Sequence, residues 1–462
     1  MNRRDFVLSA GASGLASSFP VRAANQASSQ KPNILVIMTD EHSAGVDSAT
    51  MGSKYLKTPN LDSIIASGVS YDRAYCANPI CVPSRAAMLS GLYPTQSGVI
   101  DNSTLLADAS KPPASPPLGK VFRDQGYETA YFGKWHANPS PELPALHGFR
   151  RMASTHNEDT AAVAGAVDFL RNKPRSPFLL VTSILDPHSI CEWARGDDLP
   201  LGNLPEPPSP DQCPPVPRNL APQEGEPDIM ALMRKSYHAS PQFPVGDFTP
   251  DKWRQYLWAY YRLVERADER IGQVLAALRA AGLDDNTIIV FTSDHGDAQG
   301  AHGWNQKTVF YDESTRVPFV ISRKGGRARK SDRLVNVGID LIPTLCDLAG
   351  IAAPRTIPGI SVQNADREPR RYIVVSNRLS QGAAVDGKNP KPHGRMIRSE
   401  RYKYCAYSEG TQRESLVDLV SDPGEMKNLA AKPHHKSVLN EHRAMLSEWC
   451  SQTGDTFVVP AA

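Results

Sequence analysis

Short apolar runs recur along the chain, and each has the length of a strand. Four of them occupy 33–38, 178–185, 286–292 and 318–322. Because these runs are apolar without alternation, they are typical of strands that are buried on both faces of a parallel sheet. Apolar residues at helical spacing lie between and after them, at 58–68, 161–172, 250–281 and 339–350. The pattern predicts an α/β fold in which a large, mostly parallel sheet is sandwiched by helices.

The pattern of hydrophobic and polar residues changes after about residue 355. The segments RYIVVS, GRMIRSERYKYCAY and ESLVDLVSD predict short strands of a smaller antiparallel sheet, and HKSVLNEHRAMLSEWC predicts a closing helix. We therefore expect an α/β domain over 31–354 and a C-terminal α+β subdomain over 355–462. Ten prolines without periodicity over 200–227 predict a long loop, as in a lid over a cleft.

Composition narrows the class of protein. The 462 residues carry 51 Lys and Arg against 49 Asp and Glu, so the formal net charge is only +2. This balance argues against a dedicated nucleic-acid binder, which would be clearly basic. Seven cysteines are too few for a disulfide scaffold, and their odd number leaves at least one thiol unpaired or modified.

The N-terminus, 1–24, is typical of an export signal. Arg3 and Arg4 precede a weakly apolar stretch, and a small-residue cleavage site ends at Ala23. The segment NRRDF resembles a signal for the twin-arginine export machinery, with an ordinary Sec signal as the alternative. No other segment has the ~18 continuous apolar residues that a membrane span needs. We expect a periplasmic or secreted protein whose mature chain starts near Ala24.

Polar side chains with metal-binding chemistry follow two of the predicted strands. Asp40 and Glu41 come directly after the first strand, and Asp294 and His295 come after the strand at 286–292. Ligands collect beyond the carboxyl ends of parallel strands, where such residues face one another. Carboxylates with one imidazole suit Ca²⁺, Mg²⁺ or Mn²⁺. The alternative is that these acids only cap turns.

A cysteine lies at a predicted helix entrance. Over 81–94, Pro83 suits the first helical turn and Gly91 suits the end. Cys81 then lies where free backbone N–H groups and the helix dipole favour an anion. Arg85 follows one helical turn later, so its guanidinium can reach the same place. The alternative for Cys81 is a buried structural thiol.

The segment CVPSR at 81–85 resembles the C-x-P-S-R motif of type I sulfatases, the formylglycine-dependent enzymes of the alkaline-phosphatase-like superfamily. The following AAMLSGLYPTQSGV is similar to the extended signature of that family. Further segments agree in the expected order, namely PNILVIMTDE, GYETAYFGKWH, DPHS, TSDHGDAQGAHGWNQK, YDESTRVPFVI and RSERYKY. The resemblance covers about residues 31–430.

The resemblance implies hydrolysis of a sulfate monoester, with release of inorganic sulfate. It implies that a formylglycine-generating enzyme converts Cys81 into the nucleophile, and that the modified residue ligates one divalent cation with Asp40, Asp294 and His295. Ca²⁺ is the first choice for this cation, with Mn²⁺ or Mg²⁺ as alternatives. The remaining implied site residues are Arg85, Lys134, His136, His188 and Lys307. Among them, the lysines would contact sulfate, His136 would partner the gem-diol and His188 would protonate the leaving oxygen.

Two departures from the family pattern leave alternatives open. Glu41 stands where many sulfatases have Asp, so its carboxylate can point elsewhere. His295 stands where many have Asn, which is more similar to choline sulfatases and phosphonate monoester hydrolases. A phosphonate monoester or phosphodiester hydrolase on the same scaffold is therefore the alternative activity, and a non-catalytic binding relative is a third. Carbohydrate, choline and aryl sulfates all remain open as substrates. The role of His302 stays open between a site residue and a structural loop histidine, whereas His147 is expected to be structural.

Overall fold

The computed structural model describes residues 31–106, 113–155, 158–174, 177–363 and 369–461. The predicted export signal lies outside the described residues. The strands are β1 Asn33–Asp40, β2 Gly68–Tyr75, β3 Glu128–Gly133, β4 Arg151–Ser154, β5 Phe178–Pro187, β6 Thr287–Ser293, β7 Phe319–Arg323, β8 Arg329–Asn336, β9 Tyr372–Arg378, β10 His393–Ser399, β11 Tyr402–Tyr407 and β12 Glu414–Asp418.

The α-helices are α1 Ser48–Met51, α2 Pro59–Ala66, α3 Cys81–Ser90, α4 Pro94–Ser97, α5 Leu118–Asp124, α6 Pro144–His147, α7 Asp159–Arg171, α8 Ile190–Arg195, α9 Asp228–His238, α10 Pro250–Ala280, α11 Asp312–Thr315, α12 Val337–Leu348 and α13 Lys436–Thr453. Short 3₁₀ turns lie at Asn102–Leu106, Pro210–Gln212, Asp284–Asn286, Ala301–Gly303 and Pro433–His435. None of the helices in the described part of the chain is long and apolar enough to cross a membrane.

The larger sheet has eight strands in the order β4-β3-β5-β1-β6-β7-β2-β8. All of its neighbouring pairs are parallel except those of β7, which runs antiparallel to both β6 and β2. The predicted mostly parallel sheet is therefore confirmed. The strand at 318–322 was expected to be one of the parallel strands, and it is the one that runs in the opposite direction.

Helices cover both faces of this sheet, because alternate residues of its central strands point to opposite sides. In β1, Ile34, Val36 and Met38 pack into a core with α3, α5 and α12. Leu35 and Ile37 of the same strand pack into a second core with α2, α7 and α10. All of these strand residues are at most 4% exposed. The continuous apolar run thus has the two-sided burial that its composition indicates.

The smaller sheet has four antiparallel strands in the order β12-β11-β10-β9, as predicted. One face packs against the closing helix α13, through Leu446 and Trp449. The other face packs against α9 and against Phe310, which follows Lys307 by three residues. The small sheet therefore supports the loop that carries one of the predicted site residues.

Candidate active site

The carboxyl ends of β1 and β6 bring the two predicted acids together. The strands are adjacent and parallel, with Thr39 opposite Ser293, so Asp40 and Asp294 emerge at the same edge of the sheet. Arg85 lies between them: its Nη2 is 2.7 Å from Asp40 Oδ2 and its Nε is 2.7 Å from Asp294 Oδ2. All three side chains are fully buried.

The remaining bonds of Arg85 also stay within the protein. Its Nη1 donates to the Lys134 carbonyl at 2.7 Å and to Ser183 Oγ at 2.9 Å. Because all three guanidinium nitrogens bond to protein groups, Arg85 holds the two carboxylates in place and has no pair of N–H groups left to bind a substrate. Arg85 therefore positions the acids of this site.

Four ligand atoms converge, one each from Asp40, Cys81, Asp294 and His295, all within 4.8 Å of one another. His295 Nε2 is 3.2 Å from Cys81 Sγ and 3.8 Å from Asp294 Oδ1. The other ring nitrogen, Nδ1, is 3.0 Å from the carbonyl of Gly296 and bonds to it by donating. In the neutral ring, the Nε2 lone pair therefore faces the other three groups, as in ligating histidines.

These residues fit a divalent cation. Asp40 Oδ1 is buried, lies 3.9 Å from His295 Nε2 and has no hydrogen-bond partner, although such an atom normally requires one. Burial alone would raise the pKa of Asp40, but the Lys134 ammonium and other nearby cations hold it well below its ordinary value. Burial would lower the pKa of His295, yet Asp294 and Cys81 raise it to about 9. Side chains that stabilise an added proton on His295 can also stabilise a bound metal cation at the same place.

Cys81 begins α3, as the sequence predicts, and Gly91 closes that helix in the left-handed region at φ 71°. The sulfur is 4.0 Å from Lys134 Nζ and hydrogen-bonds to the side chain of His136. Burial would raise the pKa of the Cys81 thiol, but Lys134, Lys307 and His295 lower it well below its ordinary value. This position is therefore built to hold negative charge.

Lys134 reaches the site because β3 ends one residue earlier. Gly133 has φ 112°, and a Cβ on it would lie 1.9 Å from the Ser183 carbonyl oxygen, so only glycine fits this close approach to β5. Lys134 Nζ then lies 2.7 Å from Asp40 Oδ2. From the sequence, Lys134 and His136 are expected to project the same way, because they lie two residues apart just after a strand. The strand does end before Lys134, and both side chains reach Cys81.

Glu41 points away from the four-ligand cluster. Its Oε2 is 2.8 Å from Lys307 Nζ and 3.6 Å from His188 Nε2. The side chain of His188 is 20% exposed, whereas those of Glu41 and Lys307 are at most 4% exposed. Solvent therefore reaches the site on the side of His188, whose Nε2 also lies 3.9 Å from Asp40 Oδ1.

The structure brings together all the predicted site residues and leaves the two doubtful histidines outside. His302 stacks on Tyr311 at 3.8 Å, and His147 bonds through both ring nitrogens to nearby backbone. All seven cysteines are free, and Cys346 lies in the core. Sequence reasoning missed Cys191, whose sulfur lies 3.4 Å from Glu41 Oε2.

Replacing Arg85 by Met should destabilise the protein strongly. The change leaves two buried carboxylates without their shared cation, and breaking a buried ion pair costs about 3–5 kcal/mol. Urea denaturation in the presence of a chelator would measure the free energy of unfolding without help from a bound metal. Arg401→Met is the control, because Arg401 pairs with Asp418 at the surface and is 56% exposed. Equal denaturation midpoints for the two variants would contradict the proposed bridging role.

Comparisons with known proteins agree with one another. A sulfatase family model matches residues 32–351, and a model for the C-terminal part of N-sulphoglucosamine sulphohydrolase matches 300–452. A Delta 4,5-hexuronate-2-O-sulfatase of Bacteroides thetaiotaomicron is 32% identical, over 93% of this chain and 90% of its own length.

Solved structures extend the likeness to the fold. A 2-O GAG sulfatase has a TM-score of 0.81 and 29% identity, covering 94% of this chain and 95% of its own. A phosphonate monoester hydrolase of Agrobacterium radiobacter has a TM-score of 0.70, covering 92% of this chain and 96% of its own. At 22% identity, the second likeness concerns the fold alone.

Proposed function

Because this chain belongs to the sulfatase family, we propose that it hydrolyses sulfate monoesters of carbohydrates with a formylglycine made from Cys81. The main support for the proposal is the position of the residue-81 side chain, which lies among His295, Lys134 and His136 and is one of the four converging ligand groups. A sulfate monoester presents negative charge to its attacker, so a catalyst must supply positive charge around the nucleophile.

Formylglycine provides a nucleophile that regenerates itself. Its hydrate has two hydroxyl groups on one carbon. One hydroxyl would lose its proton to solvent, its oxygen would bond to sulfur, and the bond from sulfur to the alcohol oxygen would break. The second hydroxyl would then lose its proton, the aldehyde would re-form with release of inorganic sulfate, and water would restore the hydrate. The formylglycine-generating enzyme is the partner that this scheme requires.

Asp40, Asp294, His295 and the modified residue 81 would hold the divalent cation. We favour Ca²⁺, because the carboxylates are hard oxygen ligands, with Mn²⁺ or Mg²⁺ as alternatives. When bound, such a cation supplies charge that stabilises the attacking oxygen and the sulfate group. Arg85 holds the carboxylates of Asp40 and Asp294 in position to bind this cation.

The remaining groups divide the work of binding and proton transfer. Lys134 and Lys307 are placed to neutralise sulfate oxygens, since both ammonium groups flank Cys81 and remain charged there. Burial opposes their ionisation, but Asp40 for Lys134 and Cys81 for Lys307 raise their pKa values. His136 hydrogen-bonds to residue 81 and would orient its hydrate. His188, on the open side, would protonate the leaving alcohol oxygen.

The carbohydrate assignment is supported by the names of the relatives, a hexuronate-2-O-sulfatase and a 2-O GAG sulfatase. Phosphonate monoester hydrolysis is the second candidate activity, because a phosphonate monoester hydrolase shares the fold. A side-by-side measurement of kcat/KM on sulfated saccharides, 4-nitrophenyl sulfate and an aryl phosphonate monoester decides between them. We expect sulfated saccharides to rank first; a higher value for the phosphonate would contradict the proposal.

We further propose that residues 1–24 direct export by the twin-arginine route, and that the mature enzyme acts in the periplasm or outside the cell. The proposal rests on Arg3, Arg4 and the small residues that end at Ala23. N-terminal sequencing of exported protein tests it, and an intact Met1 there would contradict it. The division into domains over 31–354 and 355–462 also stays a proposal.

A further inference from the structure

A second set of ligand atoms lies beside the catalytic cluster. One carboxylate oxygen of Glu41, His188 Nε2 and Cys191 Sγ are all within 4.8 Å of one another. Cys191 lies in α8, three residues after His188, so the turn of the chain brings both side chains to Glu41. The proposed hydrolysis gives the Cys191 thiol no task.

The second set keeps a sulfur ligand, whereas the first cluster has none once Cys81 has become formylglycine. A carboxylate, an imidazole and a thiol form a mixed set that zinc prefers, whereas calcium takes oxygen ligands. Glu41 Oε1 is fully buried and has no hydrogen-bond partner. The other oxygen, Oε2, lies 3.4 Å from Cys191 Sγ and 3.6 Å from His188 Nε2 and also pairs with Lys307. An ion held with Cys191 and His188 would therefore bind Glu41 through Oε1, or through Oε2 in competition with the Lys307 ammonium. The partly exposed His188 provides the way in from solvent.

We propose that Glu41, His188 and Cys191 form an inhibitory site for Zn²⁺ at the mouth of the active site. Binding converts the Cys191 thiol to a thiolate, and its proton passes to solvent. The ion takes the lone pair of His188 Nε2, and any proton on that nitrogen also passes to solvent. Nε2 then has no proton to give to a leaving oxygen. Three protein ligands leave a fourth position for water.

The inhibitory consequence rests on the proposed function, because it needs His188 as the proton donor; the binding site itself does not. Inhibition should therefore be stronger for a saccharide sulfate than for 4-nitrophenyl sulfate, whose leaving group needs little protonation. Zinc that acted only by displacing calcium from the first cluster would inhibit both substrates alike and would not depend on Cys191.

The first test is a Zn²⁺ titration of enzyme that is turning over in excess Ca²⁺, with each variant compared with its own uninhibited rate. Loss of even an indirect metal partner costs about 10–100-fold in affinity, so Cys191→Ser should raise the half-inhibitory zinc concentration at least tenfold. Cys213→Ser is the matched control: Cys213 is also a buried free thiol, but it lies in the proline-rich loop and bonds to the Pro208 carbonyl.

The second test does not depend on activity. Cd²⁺ is titrated into the full chain carrying Cys81→Ala, which removes the thiol of the first cluster, and thiolate-to-cadmium ultraviolet absorption is recorded. We expect one equivalent of cadmium thiolate, which adding Cys191→Ser abolishes and adding Cys213→Ser leaves. Absence of this signal, or the same zinc inhibition with and without Cys191, would overturn the zinc site. An enzyme without sulfatase activity would overturn the proposed function and leave the cadmium result to decide the site.

Discussion

Cys81→Ser should abolish multiple turnover and trap a sulfated enzyme. The serine hydroxyl lies among the same cations as the thiol and can still attack sulfur. The sulfated serine then has no second hydroxyl on its carbon, so the step that expels sulfate is missing. Removing a catalytic nucleophile lowers kcat by on the order of 10⁴-fold or more. Steady-state assays and the mass of the peptide around residue 81 measure both effects.

Cys81→Ala is the matched control, because it removes the nucleophile without supplying a hydroxyl. It should be as inactive as Cys81→Ser but gain no sulfate. Both variants should unfold close to the parent, since the residue-81 side chain lies in the catalytic cluster, where it lines a site instead of filling an apolar core. A Cys81→Ser enzyme that turns over at the parent rate would contradict the two-hydroxyl mechanism.

Removal of divalent cations should have the second largest effect. Without a cation, Asp40, Asp294 and an anionic substrate repel one another, and a bound metal supplies several kcal/mol of charge stabilisation. We expect chelation to lower kcat/KM by on the order of 10³-fold or more. Adding back Ca²⁺, Mn²⁺ or Mg²⁺ should restore the rate and rank the three ions.

A substitution at one metal ligand tests whether the loss of activity comes from removal of the ion or from damage to the protein by the chelator. Asp294→Asn should raise the concentration of Ca²⁺ that gives half-maximal activity, because an amide oxygen is a weaker ligand than a carboxylate. Asp332→Asn, an exposed residue of β8, should leave it unchanged. Full activity in metal-free protein, or the same calcium requirement in both variants, would contradict the cation site.

The parts of the site that lie at strand ends could be predicted from the sequence. Asp40 and Asp294 follow apolar runs, and the carboxyl ends of adjacent parallel strands meet at one edge whatever the order of the other strands. The helix from Cys81 to Gly91 could also be predicted, because proline marks its first turn and glycine marks its end. These are local signals with one structural meaning.

Other elements gave weaker signals. Strands β2 and β8 were missed because they are partly exposed and carry polar residues, so neither forms an apolar run. The reversed direction of β7 follows from chain connection, which an apolar run does not encode. Helix α9 was missed because it directly follows the proline-rich segment, whose composition indicates a loop.

Contacts between distant segments are the part that sequence reasoning could not supply. Arg85 bonds to the Lys134 carbonyl and to Ser183 Oγ, and Cys191 lies against Glu41, 150 positions away. No spacing in the chain predicts such pairs, because they depend on how α3, β5 and α8 pack. For the same reason, the sequence could place Arg85 near residue 81 but could not show that it holds the two carboxylates.

The most direct test of the account relates the chemical state of residue 81 to turnover. Preparations with different extents of conversion of Cys81 would be assayed on one sulfated saccharide, and peptide mass spectrometry would give the fraction of formylglycine in each. We expect kcat to be proportional to that fraction and to fall to zero with it. A fully active preparation in which Cys81 is entirely an unmodified thiol would contradict it.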